Sequence, residues 1–154
     1  MKECLIIGNK NAVTTKYVFP LLKDRVLKTG YTVPMDYAQP EWCETKSVNG
    51  LTWWFTTLPV TDKEPLVLTA RYSPEKYPKY DNYNAIEVGA LKDIPFDYSG
   101  VMGVPITILD KNLDNIVVEG LLYGDFTKIG EYIKGHTPII NGKHKYGRVL
   151  IKIK

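Results

Sequence analysis

The apolar residues of this chain come in short runs, cut by proline, glycine and tyrosine, and that spacing leaves little room for long helices. Ten prolines and 11 tyrosines in 154 residues favour strands joined by irregular loops. A hydrophobic content of 44% with 24% charged residues suffices for one globular domain with its own core, so a single domain over residues 1–154 is expected.

Leu5, Ile6 and Ile7 form a continuous apolar run stopped by Gly8-Asn9, the pattern of a strand buried on both faces of a parallel sheet. Ligands of such sheets bind beyond the carboxyl ends of the strands, which makes Asn9, Lys10 and Asn11 candidates for contact with a base or cofactor. A short helix should follow, capped by Thr14 or Thr15, with Val18, Leu21, Leu22 and Val26 inward and Lys23 and Arg25 outward. Pro20 either opens that helix or kinks it.

Residues 26–33 alternate well enough for a strand and lead into a loop over residues 34–50 that contains Trp42 and Asn49-Gly50. Residues 51–58 (LTWWFTTL) and 66–72 (LVLTARY) are rich in β-branched and aromatic side chains and flank a turn-like segment, so they are expected to pair as a hairpin. Trp53 and Trp54, being successive, must face opposite sides of their strand. Residues 72–84 have no helical period and read as an ordered extended loop, and further strands are expected over residues 104–109, 116–122 and 147–152.

The net charge is +3, but it is unevenly spread. From residue 128 onward Lys128, Lys134, Lys143, Lys145, Arg148, Lys152 and Lys154 face only Glu131. Such a tail suits a phosphate-facing surface, or, in the alternating RVLIKIK, lysines that keep an exposed edge soluble. Cys4 and Cys43 have no CxxC spacing and no histidine pair beside them, so neither a metal nor a disulfide is expected; Cys4 reads as buried filler. His136 and His144 lack acidic neighbours and read as surface residues. No apolar run nears the roughly 20 residues that span a bilayer, and Met1-Lys2-Glu3 leads straight into a strand pattern, so a cytoplasmic protein is expected.

Residues 93–110, DIPFDYSGVMGVPITILD, have an unusual composition. Together with LIIGNKNAVT (residues 5–14), WWFTTL (53–58), KYDNY (79–83) and the final RVLIKIK, they resemble, in the same order, the C-terminal half of the EcoRI-type adenine-specific DNA methyltransferases. The resemblance spans nearly the whole chain. It implies an α/β fold, the C-terminal part of a Rossmann-like methyltransferase sheet, β-rich with few short helices. It also implies double-stranded DNA as a partner and S-adenosylmethionine as the cofactor of the complete enzyme.

The family's chemistry needs a glycine-rich strand-to-helix turn and an acid for the cofactor's ribose, and an Asn-Pro-Pro-aromatic loop that holds the flipped adenine. Neither occurs in these 154 residues, so no cofactor is expected to bind this chain alone and no catalytic residue is assigned. Asp93-Ile94-Pro95-Phe96 imitates the tetrapeptide but reads as a turn that seats Phe96 in the core. The resemblance favours DNA contact by Lys79, Tyr80, Asn82 and Tyr83, whose rings, amide and cation suit bases and phosphates, and by Lys143, Lys145 and Arg148; the tyrosines could instead pack their loop onto the sheet. The expected function is the target-recognition-side portion of an N6-adenine methyltransferase, inactive alone, with a non-catalytic interaction module or gene remnant as the alternative. A separate N-terminal half is a conceivable partner, and an uncovered LIIGN strand invites self-association.

Overall fold

A computed structural model describes residues 2–30, 51–60, 63–123 and 137–154. The expected loop over residues 34–50, Cys43, His136, Lys128 and Lys134 lie outside the described residues. The chain divides into two compact units, Met1–Thr61 and Asp62–Lys154.

In the first unit, β1 (Leu5–Asn9), β2 (Lys28–Thr29) and β3 (Thr52–Thr56) form a sheet in the order β1-β3-β2. Both outer strands run antiparallel to β3, with Leu5 opposite Thr56 and Thr29 opposite Phe55. The Thr56 hydroxyl donates to the Cys4 carbonyl at 2.7 Å, and the Cys4 N–H donates to Thr57 Oγ1 at 2.9 Å, closing the open end of this pairing. Trp53 and Phe55 share the buried face, their ring centroids 6.5 Å apart, while Trp54 on the opposite face is half-buried. That split follows from the two-residue strand period. Gly30 lies close beneath Trp54, where a Cβ would come within 3.0 Å of the Trp54 Cβ.

The expectation of a parallel strand buried on both faces is corrected for β1. It pairs antiparallel, it is an edge, and Leu5, Ile6 and Ile7 are 57%, 55% and 41% exposed. An unbroken apolar run shows that both faces are hydrophobic; it does not show that anything covers them. Cys4 is correspondingly only half-buried. After β1 the chain makes a 310 turn, Lys10–Thr14, and then α1, Val18–Lys23. Pro20 sits in the first turn of α1, where its missing N–H costs nothing, and Thr15 Oγ1 accepts the Val18 N–H at 3.4 Å. Phe19 and Leu22 face inward, whereas Leu21, expected inside, is 40% exposed.

The second unit is built on a four-stranded sheet of β4 (Ile86–Glu87), β5 (Met102–Pro105), β6 (Ile116–Leu122) and β9 (Arg148–Ile153), in the order β4-β5-β9-β6. Only β4 and β5 are parallel; β9 is antiparallel to both its neighbours, and a bulge interrupts its pairing with β6 between Val118 and Gly120. Val149, Leu150 and Ile151 are wholly buried with Met102, Val104, Leu121 and Leu122. RVLIKIK is therefore an interior strand and not a lysine-dotted edge, and Lys152 pairs with Glu119 at 3.0 Å. A hairpin, β7 (Ile139–Ile140) and β8 (Lys143–His144), stands apart from this sheet.

Two further expectations fail. Residues 66–72 form no strand and do not pair with β3; Ala70 makes an isolated bridge with Pro95, the Tyr72 N–H donates to Asp97 Oδ1 at 2.8 Å, and Val67 is 77% exposed. In the DIPF turn the buried residues are Ile94 and Pro95, while Phe96 is 45% exposed with the Arg71 guanidinium 5.8 Å from its ring centroid. The described chain is thus β-rich, with short helical turns and both parallel and antiparallel pairing.

Candidate nucleic-acid interface

Residues 79–83 form a tight loop leading into β4. The Tyr80 N–H donates to the Ala85 carbonyl at 3.0 Å, the Glu87 N–H donates to the Pro78 carbonyl at 2.8 Å, and Lys79 bridges Ile86. This closure turns the Tyr80 ring inward onto β5. A Cβ at Gly103 would collide with the Tyr80 hydroxyl and ring, so the second glycine of GVMG is what lets the loop seat there.

The Tyr80 hydroxyl donates to Glu87 Oε2, and Arg148 of β9 grips the same carboxylate, Nη2 to Oε1 at 2.6 Å and Nε to the two oxygens at 3.0 and 3.2 Å. The Glu87 and Arg148 side chains are only 11% and 13% exposed. Burial, followed by the hydrogen bond to Glu87, pushes the Tyr80 phenol well above its ordinary range. Four segments of the chain, the KYDNY loop, β4, the GVMG strand and RVLIKIK, thus meet in one buried ionic cluster. Tyr80 and Arg148, both candidate DNA contacts, spend their polar groups on this cluster.

Asn82 is spent in a different way. Its side-chain amide donates to the Thr137 carbonyl at 3.0 Å and its Oδ1 accepts the Ile139 N–H at 3.1 Å. Next to it, the Asp81 N–H donates to the Ile139 carbonyl and Asp81 Oδ2 accepts the Gly142 N–H, both at 2.8 Å. Tyr83 is half-buried and packs against a cluster of Tyr80, Ala85, Leu122, Ile140 and Leu150. Asn82 uses both ends of its amide on the hairpin, and Tyr83 lays part of its ring against the core. They fasten the loop to the β7–β8 hairpin.

The hairpin turns on Asn141 and Gly142, with φ of 50° and 72°, between Ile140 and Lys143. Both residues lie in the left-handed region that a two-residue type I′ turn demands, which is why Asn-Gly is the strongest short hairpin signal. That signal stands in the sequence between Ile139-Ile140 and Lys143. Lys143, His144 and Lys145 are exposed, as is Lys79, so three of the candidate cations are carried by one hydrogen-bonded substructure. Tyr146, not among the candidates, is 87% exposed. His144 is a surface residue as expected, its Nδ1 2.6 Å from the Thr137 hydroxyl.

The remaining candidates belong to the first unit. Asn9 and Asn11 are exposed at the carboxyl end of β1, but Asn9 Oδ1 accepts the Asn11 N–H at 2.8 Å and the Lys10 N–H is bound to the Leu51 carbonyl at 2.8 Å. This strand-to-helix turn caps itself. In the second unit, the cleft lined by Pro65, Leu66, Leu68, Asn112 and Ile116 encloses about 10 Å³, one water at most. No group of three or more metal-ligating side chains occurs among the described residues, and no helix among them is long and apolar enough to cross a membrane.

An exposed basic hairpin locked to a buried ionic scaffold is a surface suited to a polyanion, and the sequence places that scaffold. The chain belongs to the family described as "Adenine-specific methyltransferase EcoRI", which it matches over residues 1–154. It is 37% identical to the Type II methyltransferase M.EcoRI of Escherichia coli, over 99% of this chain and 51% of that protein. It is also 31% identical to the Type II methyltransferase M.MgeORF184P of Mycoplasma genitalium and 32% identical to M.MpnI of Mycoplasma pneumoniae, in each case over 98% of this chain and 57% or 56% of the relative. The chain thus spans about half the length of these curated relatives. No solved structure matches it.

Proposed function

We propose that this chain is the C-terminal, target-recognition-side portion of a site-specific N6-adenine DNA methyltransferase of restriction–modification type, and that alone it binds double-stranded DNA weakly without transferring methyl groups. The observation that carries this reading is the family match along the whole chain while it covers only half of each relative, in a sequence with no Asn-Pro-Pro-aromatic loop. The basic hairpin supplies the phosphate-facing surface, with Lys79, Lys143 and Lys145 as its cations and Asn9, Lys10 and Asn11 as a second contact. The complete enzyme draws its methyl group from S-adenosylmethionine held by residues outside this sequence, and works in the cytoplasm.

In this reading β1 is part of a larger Rossmann-like sheet. Its exposed Leu5, Ile6 and Ile7 then pair with strands of the catalytic half, whether that half is joined to this chain or separate; without it, the same edge drives self-association. Two measurements test the proposal. Incubation with DNA and labelled S-adenosylmethionine should give no incorporation, whereas robust methylation by this chain alone refutes the inactive-alone reading. Duplex DNA should be retarded at low salt and released as salt rises, because phosphate contacts release counterions. Failure to bind at any salt favours a non-catalytic interaction module or a gene remnant.

A further inference from the structure

Among the described residues most tyrosines are at least partly buried, with Tyr17, 71% exposed, and Tyr146 as the exposed ones. Tyr77 and Tyr80 are buried, and Tyr72 packs its ring against Tyr77 and Tyr98, with centroids 5.9 and 4.5 Å away. Tyr146 is the opposite case. It is 87% exposed at the end of a run of six exposed residues, Asn141, Gly142, Lys143, His144, Lys145 and Tyr146, which contribute nothing to the core.

The backbone carrying Tyr146 is nevertheless held at both ends. On one side, Asp81 and Asn82 fasten the hairpin, and the Lys145 N–H donates to the Pro138 carbonyl at 2.7 Å. On the other, Gly147 is packed so tightly against the Tyr123 ring that a Cβ there would collide with it, and Arg148 is locked to Glu87. A two-residue-per-strand hairpin is marginal by itself; here polar side chains from a segment some sixty positions earlier in the sequence hold it in place. The fold spends those bonds on presenting three basic or titratable side chains and one ring to solvent, and no acidic residue occurs between Thr137 and Lys154.

We propose that the β7–β8 ribbon with Tyr146 is the base-contacting element of this chain. Lys143 and Lys145 take phosphates of duplex DNA, the Tyr146 ring lies on the face of an unstacked base, and Asp81 and Asn82 are positioning residues that set the pose of the ribbon. This rests on the DNA-binding reading above and assigns the aromatic contact to Tyr146 in place of Tyr80 and Tyr83. A phenol ring held by an anchored backbone stacks with little further loss of freedom, and stacking is indifferent to base identity.

The test uses the full chain and two fluorescent duplexes of one sequence, one fully paired and one with a single bulged base, titrated at several salt concentrations. Tyr146→Ala should weaken binding to the bulged duplex roughly ten-fold, as loss of one base–aromatic stack does, while leaving the paired duplex and both salt slopes unchanged; Tyr146→Phe should bind like the wild type. Lys143→Ala with Lys145→Ala should reduce the salt slope on both duplexes by about 2. Thermal unfolding of each variant should match the wild type, since none of these side chains is buried. If the wild type binds neither duplex, the DNA-binding reading and this assignment both fall. If the wild type binds and Tyr146→Ala leaves the bulged duplex unaffected, the assignment alone is overturned.

Discussion

Arg148 separates two roles that sequence cannot distinguish, a phosphate contact and a scaffold. Replacing it with methionine keeps most of the side-chain volume and removes the guanidinium that makes three hydrogen bonds to Glu87. The Glu87 carboxylate, 11% exposed, is then left with the Tyr80 hydroxyl as its partner. Breaking one side of a buried ion pair costs about 3–5 kcal/mol, and the lower end fits here because neither group is fully sealed from water. Arg148→Met should therefore lower the free energy of urea unfolding by about 3 kcal/mol. The double variant Arg148→Met with Glu87→Leu should recover much of the loss, since the buried charge is gone. At temperatures where both proteins are folded, the slope of DNA affinity against salt should match the wild type. A variant within about 0.5 kcal/mol of wild-type stability, with a salt slope reduced by about 1, would refute the scaffold role and return Arg148 to the DNA contacts.

Two further outcomes follow from the same geometry. The folded state holds the Tyr80 phenol protonated above its ordinary value of 10.0, whereas the unfolded chain ionises there, so this group's contribution to stability is intact below pH 10 and falls as pH rises further, by up to about 1.4 kcal/mol per unit. Tyr80→Phe should remove that component of the alkaline decline in chemical-denaturation curves between pH 9 and pH 11, and an unchanged decline would count against the buried phenol. Asn82→Ala removes two hydrogen bonds that fasten the hairpin. At about 1 kcal/mol each, hydrogen exchange of the Ile139 and Lys145 amides should quicken by roughly thirty-fold, with β9 amides unaffected; equal acceleration of β9 would mean that the hairpin does not open separately.

The parts of the fold legible in the sequence are those that a local pattern determines. Residues 116–122 alternate apolar and exposed positions as far as the bulge, and β6 occupies the expected span. Residues 72–84, with their tyrosines and prolines, form a loop as expected, but a turn at residues 74–76 and the tight closure at residues 79–83 keep it from being extended. The errors arise where a local pattern is compatible with two surroundings. LIIGN is apolar whether or not another element covers it. The lysines of RVLIKIK suggest an edge, yet Val149, Leu150 and Ile151 are enclosed because β5 and β6 come from elsewhere in the chain to flank them. Residues 66–72 have the β-rich composition of a strand and find no partner of matching register among the described residues.

The candidate site was legible to a similar degree. Lysines on the hairpin are exposed as a basic tail suggests, but the roles of Tyr80, Asn82 and Arg148 depend on partners far along the sequence, and no spacing rule announces them. Tyr146 is not legible in the sequence, because an isolated tyrosine carries no pattern. Its exposure becomes visible only when the backbone on either side is seen to be fixed.

β9 lies between β5 and β6, and it alone joins β6 to the β4–β5 pair. The sheet of the second unit therefore has no stable half. Until the segment bearing Leu150 arrives, the strand bearing Met102 and the strand bearing Val118 have no common neighbour, and closing the long intervening loops must precede most of the reward. Folding of this unit should be slow and all-or-none, with the GVMG strand left exposed as a sticky edge in any chain in which β9 is damaged.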